Sequence, residues 1–176
     1  MIQKRQLESW RFFYIHVFCQ NVDERWVGNI EFGLYYQVIE IKKAKPVFSV
    51  AVIEDDVITL DLITDALETR LSATVYPFSR SKIAREFLLQ QTPDTLQLII
   101  SDQVMKEFDG LSLLKACRSA NLSVPFLLIT GDPNKELVME ARKLGVSGFL
   151  AKPLEMDALA AKAKSVVQAK TKTRVS

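Results

Sequence analysis

Phe48-Ser49-Val50-Ala51-Val52-Ile53-Glu54-Asp55-Asp56 is a short β-branched apolar run that stops abruptly on three acids. Continuous apolar character without alternation is the signature of a strand buried on both faces. Working outward, Leu60, Ile63 and Leu67 recur at helical spacing, and Ala73 to Tyr76 reads as a second strand. Ile83, Ala84, Phe87 and Leu88 mark a helix, and Leu96 to Ile100 a third strand. Leu113, Leu114 and Cys117 continue a helix after Gly110, and Pro125 to Ile129 is a fourth strand. Leu137, Val138, Ala141 and Leu144 fit a helix that Gly145 can close, and Val146 to Leu150 is a fifth strand. Met156, Leu159, Ala160, Ala163, Val166 and Val167 form a stripe of period 3.6. Five strands alternating with five helices over about 120 residues predict a doubly wound α/β domain, a parallel sheet with helices on both faces.

The rest of the chain has a different composition. Of 176 residues, 1–46 hold 9 of the 16 aromatic side chains, with 7 basic against 5 acidic groups, whereas 47–176 carry 16 of each sign. Lys42-Lys43-Ala44-Lys45-Pro46 is the expected join, since a charged cluster is well solvated and Pro interrupts regular pairing. The expected organisation is an N-terminal extension (1–46), the α/β domain (47–170) and a polar tail (171–176). A net charge of +2 gives no field that argues for nucleic acid or an anionic membrane. Cys19 and Cys117 lack any C-x-x-C spacing, so neither a zinc site nor a disulfide framework is indicated and a reducing compartment is the default. Lys4 and Arg5 precede the apolar run Phe12 to Phe18, but Glu8, His16 and the missing small-residue cleavage site speak against a secretory signal. Bulky Phe18 before Cys19 speaks against a lipoprotein. No stretch approaches the roughly 20 apolar residues of a spanning helix. The expectation is a cytoplasmic protein without membrane contact.

In doubly wound sheets ligands bind outside the carboxyl ends of the strands, where strand order reverses. The residues that follow each apolar run are Glu54-Asp55-Asp56, Asp102, Thr130 and Lys152-Pro153. Carboxylates converging on one edge repel unless a cation neutralises them, and oxygen ligands with open water positions suit Mg²⁺. Lys152 can offset phosphate charge, the Thr130 hydroxyl can donate to a phosphoryl oxygen, and Asp102 can serve as a nucleophile that forms an aspartyl phosphate.

With these residues in order, the chain resembles the response-regulator receiver domains of two-component signalling. The matching segments are Val52-Ile53-Glu54-Asp55-Asp56, Ile99-Ile100-Ser101-Asp102 with Met105 and Phe108-Asp109-Gly110, Leu128-Ile129-Thr130-Gly131, and Gly148-Phe149-Leu150-Ala151-Lys152-Pro153. The resemblance spans residues 48–168 and implies a flavodoxin-like sheet of order 2-1-3-4-5. It implies Asp102 as phosphoacceptor, Asp55 as a direct Mg²⁺ ligand, Glu54 acting through water, and the backbone carbonyl of Val104 as a further metal oxygen. Thr130 and Lys152 would contact the phosphoryl group, and Phe149 would change rotamer when Thr130 is drawn in, shifting the population of two conformations. Two positions depart from the family pattern: Val104 stands where many relatives carry a polar residue, and Lys106 replaces the usual Pro. Asp132, two residues after Thr130, is placed to influence an attacking water.

Other readings compete. Acids after a strand often serve only solubility or capping, and Asp56 alone fits a helix N-cap. Thr is common at strand ends, Phe149 fits ordinary packing, and Cys117 lies on an apolar helix stripe that reads as core. A haloacid-dehalogenase-type phosphatase needs a second Asp two residues after the nucleophile, where this chain has Val104. A pseudo-receiver that binds partners without phosphorylation remains open. His16, alone of its kind, lies inside an aromatic run, so the phosphoryl donor is expected to be a sensor histidine kinase, a histidine phosphotransfer protein or a small phosphorylated metabolite. The expected output is contact with a downstream protein by a stand-alone receiver.

For residues 1–46, Phe13 to Phe18 and Tyr35 to Lys42 alternate in part, which allows two strands. A docked hairpin or helix, a partner-binding or dimerisation arm, and an incorrectly chosen start codon compete there. The next Met after Met1 is Met105, so an internal start would need a non-standard codon. The segment is too short and too weakly basic for a convincing DNA-binding output domain.

Overall fold

The structure, a computed structural model, describes residues 48–175, with side chains to Lys170. The expectations for residues 1–46, His16 and Cys19 among them, lie outside the described residues.

Five parallel strands, β1 (Ser49–Ile53), β2 (Thr74–Phe78), β3 (Leu98–Asp102), β4 (Phe126–Thr130) and β5 (Gly148–Ala151), form one sheet in the order β2-β1-β3-β4-β5. The connecting helices are α1 (Val57–Leu71), α2 (Ser81–Leu88), α3 (Gly110–Ser119), α4 (Lys135–Lys143) and α5 (Met156–Val175). This is the doubly wound flavodoxin-like fold expected from the sequence.

Alternate residues of the central strands serve opposite faces, as the two-residue strand period requires. Ala51, Ile53, Ile99, Phe126 and Leu128 pack with Ala84, Leu88, Leu113, Leu114, Cys117 and Ala141. Val50, Val52, Leu98, Ile100, Leu127 and Ile129 pack on the other face with Leu60, Ile63, Leu67, Leu159 and Ala163. Burial of so many full-sized apolar side chains, each worth about 1.5–3 kcal/mol, supplies the main drive to fold.

Helix starts follow local chemistry. Asp56, Asp109 and Asn134 cap α1, α3 and α4 by accepting the backbone N–H of Thr59, Ser112 and Leu137. Asp56 is therefore a cap, as one of the competing readings held. Gly145 ends α4 with φ +74, a left-handed conformation that glycine adopts without strain.

Strand boundaries differ from the sequence reading by a few residues. Leu96 is held in a turn by its N–H bond to Thr92, so β3 starts at Leu98 and runs on to include Asp102 as its last residue. Val146 N–H bonds Ala141 and belongs to the end of α4, so β5 starts at Gly148. β2 continues through Pro77, which an edge strand tolerates. Helix α5 continues through the stretch read as a polar tail. Lys172 and Arg174 there are good helix formers, and cations suit a helix C-terminus.

Candidate functional site

Strand order reverses between β1 and β3, and the carboxyl ends of those two strands carry the acids. Glu54 follows β1 directly and its N–H donates to the Phe78 carbonyl at 3.1 Å, which fixes the chain as it leaves the sheet. Glu54 and Asp102 are only 1% and 4% exposed. Asp55 is half-buried. One carboxylate oxygen from each of Glu54, Asp55 and Asp102 lies within 4.8 Å of the others.

Lys152 enters from the end of β5, with Nζ 3.0 Å from Glu54 Oε2 and 3.0 Å from Asp102 Oδ1. The cation answers the desolvation of two buried carboxylates, which would be costly unpaired. Burial pushes the Glu54 carboxyl above its ordinary range, against the hydrogen bond from Lys152. Burial acts to lower the Lys152 pKa, but hydrogen bonds to Glu54 and Asp102, with their charges, outweigh it and hold the ammonium above its usual value. Three carboxyl groups against one ammonium make a set of hard oxygen donors that outnumber the cation beside them. That composition and spacing fit a small divalent cation such as Mg²⁺.

Thr130 ends β4, is 2% exposed, and its Oγ1 accepts the Asp132 N–H at 3.1 Å. Register sets Asp102 opposite Ile129, one residue before Thr130, so the hydroxyl-bearing residue shares the acidic edge without bonding its carboxylates. The Val104 side chain is 75% exposed, and its backbone N–H donates to Asp102 Oδ2 at 3.3 Å. Phe149 lies on β5, half-buried, against the core that contains Phe126 and Leu128. Structure thus brings Glu54, Asp55, Asp102 and Lys152 together, with Thr130 beside them and Phe149 farther along the sheet.

A support for the loop after Asp102 was not foreseen from sequence. Glu107 accepts from Arg80 Nη2 at 2.8 Å and from the Lys82 N–H at 3.0 Å, while the Phe108 N–H donates to Ser81 Oγ at 2.8 Å. Helix α2 has no side-chain cap from its own N-cap residue Arg80, and Glu107 supplies the missing acceptor from another loop. The hydrogen bond from Arg80 holds the Glu107 carboxyl below its usual range. Nothing local in the sequence marks this role, because its partners are distant along the chain.

Gly110 also positions the site. A Cβ there would stand 2.5 Å from the Asp102 carbonyl oxygen and 2.5 Å from Leu128 Cδ1, so only glycine lets α3 start this close to β3.

The profile described as "Response regulator receiver domain" matches residues 50–164. Transcriptional regulatory protein FixJ of Bradyrhizobium diazoefficiens is 32% identical over 117 residues, 66% of this chain and 55% of that protein. Transcriptional regulatory protein ZraR of Escherichia coli K12 is 30% identical over 112 residues, 64% of this chain and 24% of that protein. The chain thus spans about half of one of these relatives and about a quarter of the other. Among solved structures, the receiver domain of the Francisella response regulator 1452 superposes with a TM-score of 0.63 at 24% identity, covering 69% of this chain and 98% of that one. The signal receiver domain of a LuxO repressor protein from Vibrio parahaemolyticus gives a TM-score of 0.65 at 19% identity, covering 73% and 97%. The sheet order, the acids and lysine gathered where strand order reverses, and the match over most of the α/β region lead to one conclusion: this chain belongs to the response regulator receiver domain family.

Proposed function

We propose that this chain is a phosphoacceptor of a two-component relay, with Asp102 as the residue phosphorylated. The observation that carries the reading is the convergence of Glu54, Asp55, Asp102 and Lys152 from the ends of β1, β3 and β5, two of the acids being buried.

In this reading Glu54, Asp55, Asp102 and the backbone carbonyl of Val104 hold Mg²⁺, Glu54 through a water. The ion supplies charge neutralisation for the transferring phosphoryl group. Asp102 attacks phosphorus of a phosphohistidine donor; the new O–P bond forms as the P–N bond breaks, and the imidazole leaves with the electron pair and takes a proton from solvent. Lys152 moves from its paired state toward the added phosphoryl oxygens, while the Thr130 hydroxyl turns from Asp132 to donate to one of them. Phe149 then repacks toward the space that Thr130 vacates, and the altered β4–β5 surface is what a downstream protein reads. A sensor histidine kinase or histidine phosphotransfer protein is the donor. The proposed setting is the cytoplasm.

Labelling by a phosphodonor in the presence of Mg²⁺ tests the reading. Wild-type protein is expected to take up one phosphoryl group, and Asp102→Asn none; equal labelling of that variant removes Asp102 from the role. Sustained turnover of a generic phosphomonoester would support the phosphatase alternative instead. Val104 lacks the proton a general acid would supply to the leaving group there.

A further inference from the structure

The loop that follows Asp102, residues 104–109 (Val-Met-Lys-Glu-Phe-Asp), contains neither Pro nor Gly. No fixed proline φ stiffens it, so its course depends on what holds its ends. Glu107 and Phe108 tie the far part to α2. The near end, beside the acids, rests on Gln103.

Gln103 is half-buried and bonds through its main chain and its side chain alike. Its N–H donates to the Ile129 carbonyl on β4 at 2.8 Å, and its carbonyl accepts the Gly110 N–H at 3.1 Å. Its side-chain Oε1 accepts the Leu111 N–H at 3.1 Å. The opening N–H groups of a helix have no partner within it. In α3 Gln103 meets those of Gly110 and Leu111, and Asp109 Oδ1 accepts that of Ser112 at 2.7 Å. The first turn of α3 is therefore docked on the residue next to Asp102.

The peptide plane carries this docking to the acid. The Gln103 carbonyl and the Val104 N–H belong to one planar trans unit and point in opposite directions. With Gly110 holding the oxygen on one side, the Val104 N–H is directed to the other, where it meets Asp102 Oδ2 at 3.3 Å. Lys152 holds Oδ1 of the same carboxylate at 3.0 Å. Both oxygens of Asp102 are thus located, one by a cation and the other by a peptide whose orientation α3 sets. Without the Gln103 side-chain acceptor the Leu111 N–H loses its partner, a cost that the turn relieves by moving off Gln103.

We infer that Gln103 is a positioning residue for phosphoryl uptake: its amide oxygen docks the first turn of α3, which fixes the 103–104 peptide and with it the orientation of the Asp102 carboxylate. The inference rests on the reading of Asp102 as the phosphoacceptor. Rate is steep in such orientation, and a displacement of about 1 Å can cost on the order of a hundredfold.

The test is the rate of phosphoryl uptake by the full-length protein from phosphoramidate, whose P–N bond is of the type broken in a phosphohistidine, at rising Mg²⁺ up to saturation. Gln103→Met removes the acceptor at similar size, and Gln103→Asn keeps an amide too short to reach Leu111. Each is expected to slow uptake about tenfold at saturating Mg²⁺. Gln103→Glu keeps an acceptor at the same reach, with a charge that suits a helix N-terminus, and should stay within about threefold of wild type. Urea unfolding identifies a variant that fails to fold, and the other of the Met and Asn pair then decides. Wild-type rate in either folded variant, a loss that vanishes at saturating Mg²⁺, or a Gln103→Glu as slow as the other two would overturn the proposal. So would failure of both to fold beside a folded Gln103→Glu, since the bond would then serve stability. Uptake undiminished in Asp102→Asn would overturn the reading beneath it, an outcome distinct from all of these.

Discussion

Lys152 Nζ stands 3.0 Å from Asp102 Oδ1, so the residue proposed to receive a phosphoryl group is held in an ion pair across β3, β4 and β5. The same ammonium spans to Glu54 at 3.0 Å. Removing it leaves two buried carboxylates facing each other. Lys152→Ala is expected to lower stability in metal-free buffer, by an amount toward the 3–5 kcal/mol seen when one partner of a buried pair is lost, reduced because Lys152 is itself partly exposed. Urea unfolding with and without Mg²⁺ checks this: the defect should shrink when the cation is added, and an equal defect in both would place the loss elsewhere.

Metal binding should appear as a stability gain. A cation that binds only the folded state adds about 2.7 kcal/mol at about one hundred times its Kd. Asp55→Ala, which removes one of the three clustered carboxylates, is expected to reduce that gain while leaving the metal-free protein folded. Thermal melts across a Mg²⁺ series read it directly, and an unchanged midpoint shift would take Asp55 out of the ligand set.

Glu107 ties the loop after Asp102 to the start of α2. Glu107→Ala should release that loop, lowering Mg²⁺ affinity and the rate of phosphoryl uptake, whereas Glu107→Gln, which retains an acceptor for the Lys82 N–H, should recover part of both. Calorimetric Mg²⁺ titration of the two variants distinguishes a positioning role from a merely local one; identical affinity in wild type and Glu107→Ala would exclude positioning.

At Gly110 a methyl group has no room, since one of the two atoms it would strike is strand backbone. Gly110→Ala is expected to cost about 1–3 kcal/mol through overpacking and to displace the Asp102 carbonyl. Chemical denaturation measures the first, and the change in Mg²⁺ affinity the second.

Cys117 is 1% exposed, and burial pushes its thiol up from the ordinary 9.0 to about 11. The folded state therefore keeps the proton while the unfolded chain loses it, so this group makes stability fall as pH rises between 9.0 and about 11. Peptide-resolved alkylation near pH 8 should leave Cys117 unmodified until denaturant is added. Rapid modification of the native protein would contradict its place in the core.

Element type and order were legible from residue pattern, because apolar runs of strand length and stripes of period 3.6 follow from which faces must be buried. Boundaries were less so. Asp102 reads as a residue after β3 until the Leu96 turn moves the strand along, and Val146 reads as strand until its N–H is seen closing α4. Glu107 and Gly110 show a second limit: the first accepts the N–H of Lys82, 25 residues earlier in the first turn of α2, and the second is confined by a side chain on β4.

By itself the sequence determined that a parallel sheet would form and that Glu54, Asp55, Asp102 and Lys152 would share one edge of it, since each follows or ends an apolar strand run. Only the tertiary structure decided that Lys152 would bridge Glu54 and Asp102 and that Glu107 would brace the acceptor loop. Periodicity is a local property that burial imposes residue by residue, whereas ion pairing and cavity lining depend on strand order and on distances between segments far apart in the chain.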